Sequence, residues 1–563
     1  MENSFARAFR DKPEIGFALQ ALLWVSVAAA AGRLLWSPIA DPDLFWHLAS
    51  GRWMFEHHRF LGTEVFSHTL GGAPWLNFEP LAQILLRAVE RAGGLEGIRF
   101  LRAGLSLLAI GLLAASARTA GARGAWAFPL AGLAFLLLGP RLNPRPELFS
   151  WVFFGGLVLV VEAARRGGAV WEKRLPWIVG ILFLPWVNTH PGYVFGLLHL
   201  VAADVGARWA GDRPTFIARL DRAIVVALAC VPLTPFGPRI VGAMLEISIA
   251  MRHGLPIEEF RPTAPADAPA FWAALLIGGG FIARGVLRGD PEARRWAAAF
   301  VGFGVLGSQA VRGVVLIVFP LMPFLGAQTG VWARAKPAAA RRTGGVLAFL
   351  AVAGIVGTAL LRPPAATLLS KRILPVGACR FVRDFGVDGT LYNSYGFGGY
   401  IEWALPDRKV FQYGSTPFLR FLEEEADLSL FWPDSDRRGR WADYLDRYGV
   451  DYGIVDDRPA PAPESFHPPL MSERLFPEDR WALVYWDDIS WVFVKRIPKF
   501  EPLIRAREYR ALRPARQGII AAGTLPAPAA AIRAELERHA REVPFSGKGA
   551  FLEEALQARS PRS

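Results

Sequence analysis

Long apolar runs alternate with short polar segments over the first two thirds of the chain. The runs "GFALQALLWVSVAAAAGRLLW", "SLLAIGLLAASA" and "GGVLAFLAVAGIVGTALL" approach or reach the roughly 20 residues that a helix needs to cross about 30 Å of hydrocarbon. No small-residue cleavage site follows the first run, so we interpret it as an uncleaved span. The pattern predicts a mostly α, polytopic helical membrane protein with about eleven spans.

The pattern changes after residue 362, where short β-rich runs alternate with helical stretches. "TLYNSYGFGGYIEWAL", "RKVFQYG" and "YGVDYGIVDD" have strand character, and "FLRFLEEEADL" and "RWADYLDRYG" have helical periodicity. "WALVYWDDISWVFVKRI" predicts a hairpin that turns at its two aspartates, and two amphipathic helices follow it. We therefore predict a transmembrane module over 1–362, a soluble α/β domain over 363–497 and a helical tail over 498–563.

Basic residues outnumber acidic ones, 63 to 50, but they lie in small clusters between the apolar runs. This distribution argues against a nucleic-acid partner, which would require a basic surface on one domain. Assigned to the cytoplasmic side, the clusters give a consistent path, with the N-terminus inside and the α/β domain outside. The path requires "LNFEPLAQILLRAVERAG" to lie along the interface. The two cysteines, Cys230 and Cys379, indicate neither a disulfide framework nor a metal site.

The loops that this path leaves on the outer face carry most of the ionisable groups near membrane depth. Such groups cost about 2.5–3.5 kcal/mol at the bilayer centre, so they are candidates for function. They come from distant sequence positions yet share one face. The loops are "DPD" (41–43), "RLNPRPELF" (141–149), "NTHPGY" (188–193), "MRHGLPIEEFRP" (251–262) and the segment around Arg312.

Several motifs of the chain are similar to those of one family: "DPDLFWHLASGRW", "RPELFS", "LPWVNTHPGYVFG", "NSYGFGGYIEW" and "KVFQYG". Up to about Arg496 the chain resembles a poorly characterised bacterial branch of the GT-C superfamily of polyprenyl-phosphate-sugar-dependent glycosyltransferases. The resemblance implies a multi-pass protein of the bacterial plasma membrane. It also implies transfer of a sugar from a polyprenyl-phosphate donor to an envelope glycan, lipid or protein on the outer face.

The chain departs from that branch at two places. A histidine–glycine pair is expected where the chain has His190-Pro191-Gly192. An aspartate–glycine–arginine triplet is expected where it has "QYGS", Gln412 to Ser415. The second departure removes two charged side chains, so a ligand role for this segment is not expected.

Sugar transfer from a lipid phosphate needs a base for the acceptor and cations for the leaving phosphate. Asp41 and Asp43 are the predicted catalytic pair. On an extended loop their side chains would point the same way and hold a divalent cation, Mg²⁺ or Mn²⁺. Arginine forks match phosphate oxygens, and the histidines would relay protons or bind phosphate. The predicted substrate-binding residues are His47, Arg145, Glu147, His190 and Arg312.

Each of these assignments has a structural alternative. Asp41 and Asp43 would also serve as caps of the helix "LFWHLASGRWMFEHH", and Arg145 would snorkel at the interface. Glu258 and Glu259 either are solvated side chains of their loop or bind the acceptor. Three tryptophans are expected in an interfacial aromatic belt rather than as sugar-stacking platforms. They are Trp46, Trp53 and Trp75.

The resulting prediction is an inverting, membrane-embedded glycosyltransferase. A transporter or flippase of lipid-linked glycans is the first alternative, and it would place charges at the membrane midplane and show two related halves. The sequence shows no such symmetry. A non-catalytic membrane scaffold that displays the C-terminal domain is the second alternative, because "QYGS" lacks the expected charged residues.

Overall fold

The computed structural model describes residues 25, 27–244, 258–361, 367–415, 417, 435–456 and 475–558. The described chain is mostly helical, as the sequence predicts. The first predicted span and "MRHGLPIEEFRP" lie partly outside the described residues, and "FLRFLEEEADL" lies wholly outside them. In chain order the helices are α1 (Asp43–His57), α2 (Pro80–Ala120), α3 (Ala127–Leu138), α4 (Glu147–Arg166), α5 (Ala169–Val187), α6 (Tyr193–Ala210), α7 (Pro214–Cys230), α8 (Pro269–Leu287), α9 (Pro291–Gln309), α10 (Val318–Ala335), α11 (Pro337–Leu361), α12 (Val376–Asp384), α13 (Tyr395–Ala404), α14 (Ser435–Arg447), α15 (Glu501–Arg507), α16 (Pro514–Ala522), α17 (Ala529–Glu542) and α18 (Gly547–Gln557).

The chain divides into two compact units, each built from separate stretches of sequence. The helical unit consists of Met1–Pro38, Phe78–Met251 and Ile257–Leu368, and the α/β unit consists of Ile39–Asn77, Arg252–Pro256 and Leu369–Ser563. Helix α1 belongs to the α/β unit, where Phe45 packs edge-on against Tyr400 of α13 at 4.9 Å between ring centroids. The predicted boundaries at 362 and 497 instead group α1 with the transmembrane module, because a short excursion of the chain leaves no change in composition.

Among the described residues, six helical segments of the helical unit are long and apolar enough to cross a membrane. Large apolar side chains on these helices are exposed, among them Leu276, Ile277 and Phe349, and such surfaces suit lipid rather than water. The predicted membrane character is therefore confirmed, while the count of about eleven spans stays a prediction. The six segments are Pro80–Ala120, Gly124–Arg141, Glu147–Arg166, Pro269–Leu287, Val311–Ala335 and Pro337–Leu361.

Helix α2 is interrupted at Gly94. Its φ of 61° and ψ of −159° lie outside the helical range, and a positive φ is readily adopted only by glycine. The break separates residues 80–93 from the apolar remainder of α2. These first residues belong to "LNFEPLAQILLRAVERAG", the segment that the sequence places along the interface, so the chain is able to change direction where that prediction requires it.

Loops predicted to lie on the cytoplasmic side come together within the helical unit. Glu292 at the start of α9 accepts a hydrogen bond from Arg166 at 2.9 Å and lies 2.9 Å from the guanidinium of Arg295. Arg295 also donates to Asp212, which follows α6, at 2.8 Å. The basic clusters between α4 and α5, after α6 and before α9 thus share one end of the unit, as the predicted path requires.

A four-stranded sheet forms the centre of the α/β unit, with the strand order β1-β2-β4-β3. Strands β1 and β2 are parallel, and the other pairs are antiparallel. The predicted hairpin is confirmed: β3 and β4 are paired, and Asp487 in their turn accepts hydrogen bonds from the backbone of Ile489 and Ser490. The strands are β1 (Leu391–Asn393), β2 (Tyr452–Asp456), β3 (Trp481–Trp486) and β4 (Ser490–Lys495).

Candidate active site

The acidic pair lies at the N-terminus of α1 in the α/β unit. Asp41 Oδ1 accepts a hydrogen bond from the backbone N–H of Asp43 at 3.0 Å. Pro42 between them has φ −68° and ψ −26°, so the predicted extended loop is wrong: the chain already turns into the helix at this point. Asp41 thus binds the first residue of α1, while the N-cap position is Pro42, which has no side-chain cap. Asp43 lies in the first turn, where the helix dipole stabilises a negative charge.

The carboxylate of Asp43 is contacted by Trp46, which belongs to a cluster of aromatic side chains. The indole Nε1–H of Trp46 donates to Asp43 Oδ1 at 3.3 Å. The Trp46 ring lies 6.0 Å from Trp75 and 6.1 Å from Tyr413. Because Trp46 and Trp75 are buried inside the α/β unit, the prediction of an interfacial belt is wrong for these two. Both belong to the core of this unit.

His47 and Trp53 occupy different environments on α1. His47 is buried, with its ring 3.6 Å from that of Trp46, so it lies next to the acidic pair within the same unit. Trp53 is half-buried and stacks on the exposed His57 at 4.3 Å. Arg59 lies 5.1 Å from the centre of the Trp53 ring. The cationic end of α1 is thus separate from the acidic start.

The segment "QYGS" lies directly against the acidic pair. The side chain of Asn393, at the end of β1, donates to the carbonyl of Gln412 at 2.8 Å and accepts from the backbone N–H of Phe411 at 2.8 Å. The hydroxyl of Tyr413 donates to Glu64 at 2.6 Å. A Cβ added to Gly414 would lie 2.5 Å from Asp43 Oδ1. The segment without the expected charges is therefore part of the site's wall.

Two buried glutamates of this region were not predicted from the sequence. Glu64 accepts hydrogen bonds from the backbone of Phe66 and Ser67 as well as from Tyr413, and its burial raises its pKa despite these bonds. Glu402 on α13 has no hydrogen-bond partner for its carboxylate among the described residues. Burial, together with the nearby charge of Glu64, raises the pKa of Glu402 well above its usual range. Glu64 lies in none of the motifs quoted from the sequence, whereas Glu402 is the one charged residue of "NSYGFGGYIEW", a signal that was available.

The helical unit contains a second cluster of charges, formed by loops that the sequence predicts on the outer face. Arg141 lies 2.7 Å from Glu147 and 2.9 Å from Glu259. Arg145 donates to Glu259 at 3.0 Å and lies 3.9 Å from Glu147. Arg312 lies 3.8 Å from Glu147. The predicted residues Arg145, Glu147 and Arg312 are thus brought together, and the cluster also includes Arg141 and Glu259.

Three guanidinium groups share the carboxylates of Glu147 and Glu259 in this cluster. Burial alone would raise the pKa of Glu259, but Arg145 and Arg141 lower it to about 2. Glu259 is therefore ionised at neutral pH, and its solvation-only alternative is not supported. The side chain of Arg312 also lies over the ring of Phe260, 5.0 Å from its centre. The cluster presents positive charge suited to an anion such as phosphate.

His190 lies in the loop between α5 and α6 of the same unit. Its Nδ1 accepts a hydrogen bond from the backbone N–H of Gly192 at 2.9 Å and lies 2.9 Å from Ser150 Oγ. An accepting Nδ1 places the proton of the neutral ring on Nε2, which lies 3.8 Å from Glu79. Burial and the nearby guanidinium of Arg312 hold the pKa of His190 well below its usual range. His190 is therefore a neutral hydrogen-bond donor rather than a titrating acid.

A divalent cation would find two carboxylates at the start of α1. No group of three His, Cys, Asp or Glu side chains suited to a metal ion occurs among the described residues. Mg²⁺, however, is commonly held by one or two carboxylates together with substrate phosphate and water. Asp41 and Asp43 would supply the carboxylates for that mode.

Comparison with known proteins places the fold. No family model and no curated protein sequence matches the chain. Among solved structures it is similar to the oligosaccharyltransferase of Archaeoglobus fulgidus tethered with an acceptor peptide, with 12% identity and a TM-score of 0.54 over 77% of this chain and 69% of that one. AglB from the same organism, in complex with an inhibitory peptide and a dolichol-phosphate, matches with 12% identity and a TM-score of 0.53 over 78% and 69%.

A further match is ArnT from Cupriavidus metallidurans, with 14% identity and a TM-score of 0.47 over 85% of this chain and 98% of that one. The chain shares the fold of GT-C glycosyltransferases. The resemblance stated from the sequence motifs is therefore confirmed at the level of the fold.

Proposed function

We propose that this chain is a membrane-embedded, inverting glycosyltransferase. It takes a sugar from a polyprenyl-phosphate donor and transfers it to an envelope acceptor on the outer face of the bacterial plasma membrane. The observation that carries the proposal is the cluster of Arg141, Arg145 and Arg312 in a unit with membrane-spanning helices. A lipid-linked phosphate is the anion that such a location would meet. The GT-C fold supports the same class of reaction, and AglB of this fold has been seen with a dolichol-phosphate.

In the proposed reaction Asp43 is the base. The acceptor hydroxyl gives its proton to the Asp43 carboxylate while its oxygen attacks the anomeric carbon from the side opposite the phosphate. The bond between the anomeric carbon and the phosphate oxygen breaks, and its electron pair leaves with the lipid phosphate. Asp41 keeps the first turn of α1 in place through its bond to the Asp43 N–H. A bound Mg²⁺ or Mn²⁺, held by Asp41 and Asp43, would offset the negative charge of the phosphate.

In this proposal the arginine cluster of the helical unit is a binding site for a lipid-linked phosphate. Glu147 and Glu259 hold the guanidinium groups by direct ion pairs, so the cations are oriented before substrate binds. His190 contributes its Nε2–H as a neutral donor to a phosphate oxygen. This role replaces the proton relay considered for His190, because a ring that stays neutral near pH 7 cannot supply a proton efficiently.

The proposal is tested by comparing envelope glycans by mass spectrometry in a strain lacking this chain, the parent strain and the deletion strain complemented with the wild-type chain. We expect one sugar to be missing from a defined acceptor in the deletion strain and restored by the wild-type chain. Unchanged glycans that accumulate on the inner side of the membrane would instead indicate transport, and an unchanged glycan profile would contradict both activities.

A further inference from the structure

The carboxylate of Asp43 is held by two residues from distant parts of the sequence. We propose that Trp46 and Gly414 are positioning residues, which fix the orientation of the Asp43 carboxylate for reaction. The inference rests on the proposed role of Asp43 as base. It assigns a function to "QYGS", the segment in which the expected charged residues are missing.

Trp46 supplies a directional contact to Asp43. Its indole N–H donates to Oδ1 from one helical turn further along α1, at 3.3 Å. The ring itself is 7% exposed and is packed against Trp75 and Tyr413, so the donor has little freedom to turn away. A buried aromatic ring with its polar atom directed at a carboxylate provides both packing and orientation.

Gly414 supplies a steric limit on the other side of the same oxygen. A Cβ at this position would lie 2.5 Å from Asp43 Oδ1 and 3.2 Å from the indole nitrogen of Trp46. Any residue other than glycine would therefore displace the carboxylate or break its bond to the indole. Gly399 on α13 makes a similar approach, since its Cβ would lie 2.7 Å from the carbonyl of Pro42. Backbone from two later segments thus surrounds the start of α1.

The wall that carries Gly414 is anchored on both sides. Asn393 binds the backbone of Phe411 and Gln412, and Tyr413 donates to Glu64, which is itself held by two backbone N–H groups. These bonds connect the end of strand β1 to the segment beside Asp43. The α/β unit consequently sets the geometry of the proposed base through a rigid loop, and a charged side chain at Gly414 is not needed for that role.

The first test uses Gly414→Ala, with Gly518→Ala as the matched control. A Cβ at Gly518 in α16 would meet nothing within 4 Å, so both variants add one methyl group to the same unit. Three properties are measured: the envelope product in the complemented deletion strain, the melting temperature of the purified full chain, and its binding of undecaprenyl phosphate in nanodiscs. We expect Gly414→Ala to lose about 10²-fold in product formation, the order that small misplacements of reacting groups cost, with melting and lipid-phosphate binding unchanged. Gly518→Ala should behave like the parent in all three measurements.

The second test separates the indole N–H from the packing of the ring. Trp46→Phe and Trp491→Phe each remove one buried indole from the same unit, but the indole N–H of Trp46 donates to Asp43, whereas that of Trp491 has no hydrogen-bond partner among the described residues. We expect similar losses of melting temperature for the two variants and a loss of product, about tenfold or more, for Trp46→Phe alone. The inference would be overturned if each test variant formed as much product as its control. It would also be overturned if product fell only in proportion to the melting temperature. Asp43→Asn in the same assay separates the role of Asp43 as base from the positioning roles of Trp46 and Gly414. If Asp43→Asn is fully active, the proposed base is wrong. If Asp43→Asn is inactive while Gly414→Ala and Trp46→Phe are active, only the positioning roles are refuted.

Discussion

At the scale of single residues, the proposed role of Asp43 as base is the part of the proposal that a substitution tests most directly. Asp43→Asn keeps the shape of the side chain and removes its negative charge, so a base would lose about 10²-fold or more in rate. If Asp43 only stabilises the first turn of α1, the substitution would lower the free energy of unfolding by about 1 kcal/mol or less, because asparagine is also favourable at helix N-termini. We expect loss of the envelope product with little change in melting temperature.

Asp41→Asn is the natural comparison for that experiment. Asparagine offers an Oδ1 that is able to accept the N–H of Asp43, as Asp41 does at 3.0 Å. A cap would therefore survive the substitution, and a ligand of a divalent cation would be weakened. We expect Asp41→Asn to retain its fold and to require more added Mn²⁺ than the parent for equal product in membranes.

Glu402 permits a prediction about pH. Its pKa is raised by burial and by the charge of Glu64, so the folded chain favours the protonated carboxyl. The resulting stability is fully present below the pKa of the unfolded state, near 4.5, and is lost as the pH rises through the higher pKa of the folded state. Glu402→Gln stays neutral, so at pH 8 it should melt above the parent.

A substitution at an exposed carboxylate provides the control for this measurement. Glu56 on α1 is exposed, so Glu56→Gln should melt with the parent at both pH 4 and pH 8. Glu402→Gln should also melt with the parent at pH 4, where both side chains are neutral. A difference that is equally large at pH 4 and pH 8 would attribute the effect to packing and not to the buried charge.

Sequence reasoning found some residues of the site and missed others for a physical reason. Arg145, Glu147, His190 and Arg312 stand between apolar runs, where an ionisable side chain is costly and therefore conspicuous. Glu64 lies in mixed polar sequence, and only the fold buries it. Glu402 is the single charged residue of the apolar stretch "GFGGYIEWAL", so the signal that identified the residues between the apolar runs was also present there.

At the scale of secondary-structure elements, patterns within one element were predictable and contacts between elements were not. The hairpin of β3 and β4 follows from alternation around two aspartates, and its pairing is confirmed. The start of α1 was expected to be extended, yet Asp43 already belongs to the helix. Strand β1 spans only Leu391–Asn393, and three residues are too few for a distinct periodicity.

The loop between α5 and α6 provides a prediction at this scale. A Cβ at Gly192 would lie 2.5 Å from Ser150 Oγ and 2.9 Å from His190 Nδ1, so Gly192→Ala should move the imidazole. We expect binding of undecaprenyl phosphate in nanodiscs to weaken about tenfold, the cost of roughly one hydrogen bond to a charged group. Gly156→Ala in α4, whose Cβ would meet only Leu182 at 3.8 Å, is the matched control. Equal affinity of both variants would contradict a phosphate-binding role for His190.

At the scale of the whole molecule, the helical unit contains two groups of ion pairs. Each group is formed by loops that the predicted topology assigns to the same side of the membrane. One end gathers Arg166, Glu292 and Arg295 from loops assigned to the cytoplasm. The other gathers Arg141, Glu259 and Arg312 from loops assigned to the outside. A rule based on basic residues cannot by itself explain the second group, since it is also rich in arginine. Arginines at both ends are paired with carboxylates, and at the second end Arg141, Arg145 and Arg312 share Glu147 and Glu259.

Helix α8 offers a direct test of this topology. It is one of the six candidate spans, and Ala266 before it and Arg288 after it are both exposed, so single cysteines at these positions would lie at opposite ends of one span. The native Cys230 and Cys379 are buried and are replaced by alanine to remove any background. We expect an impermeant thiol reagent to label Ala266→Cys in intact spheroplasts and to label Arg288→Cys only after lysis. The exposed Asp384→Cys, on α12 of the α/β unit, should be labelled without lysis, because the predicted path crosses the membrane three more times after Arg288 and ends outside. Labelling of Arg288→Cys without lysis while Ala266→Cys stays protected would reverse the orientation and place the arginine cluster in the cytoplasm. Labelling of both without lysis would mean that α8 does not cross the membrane.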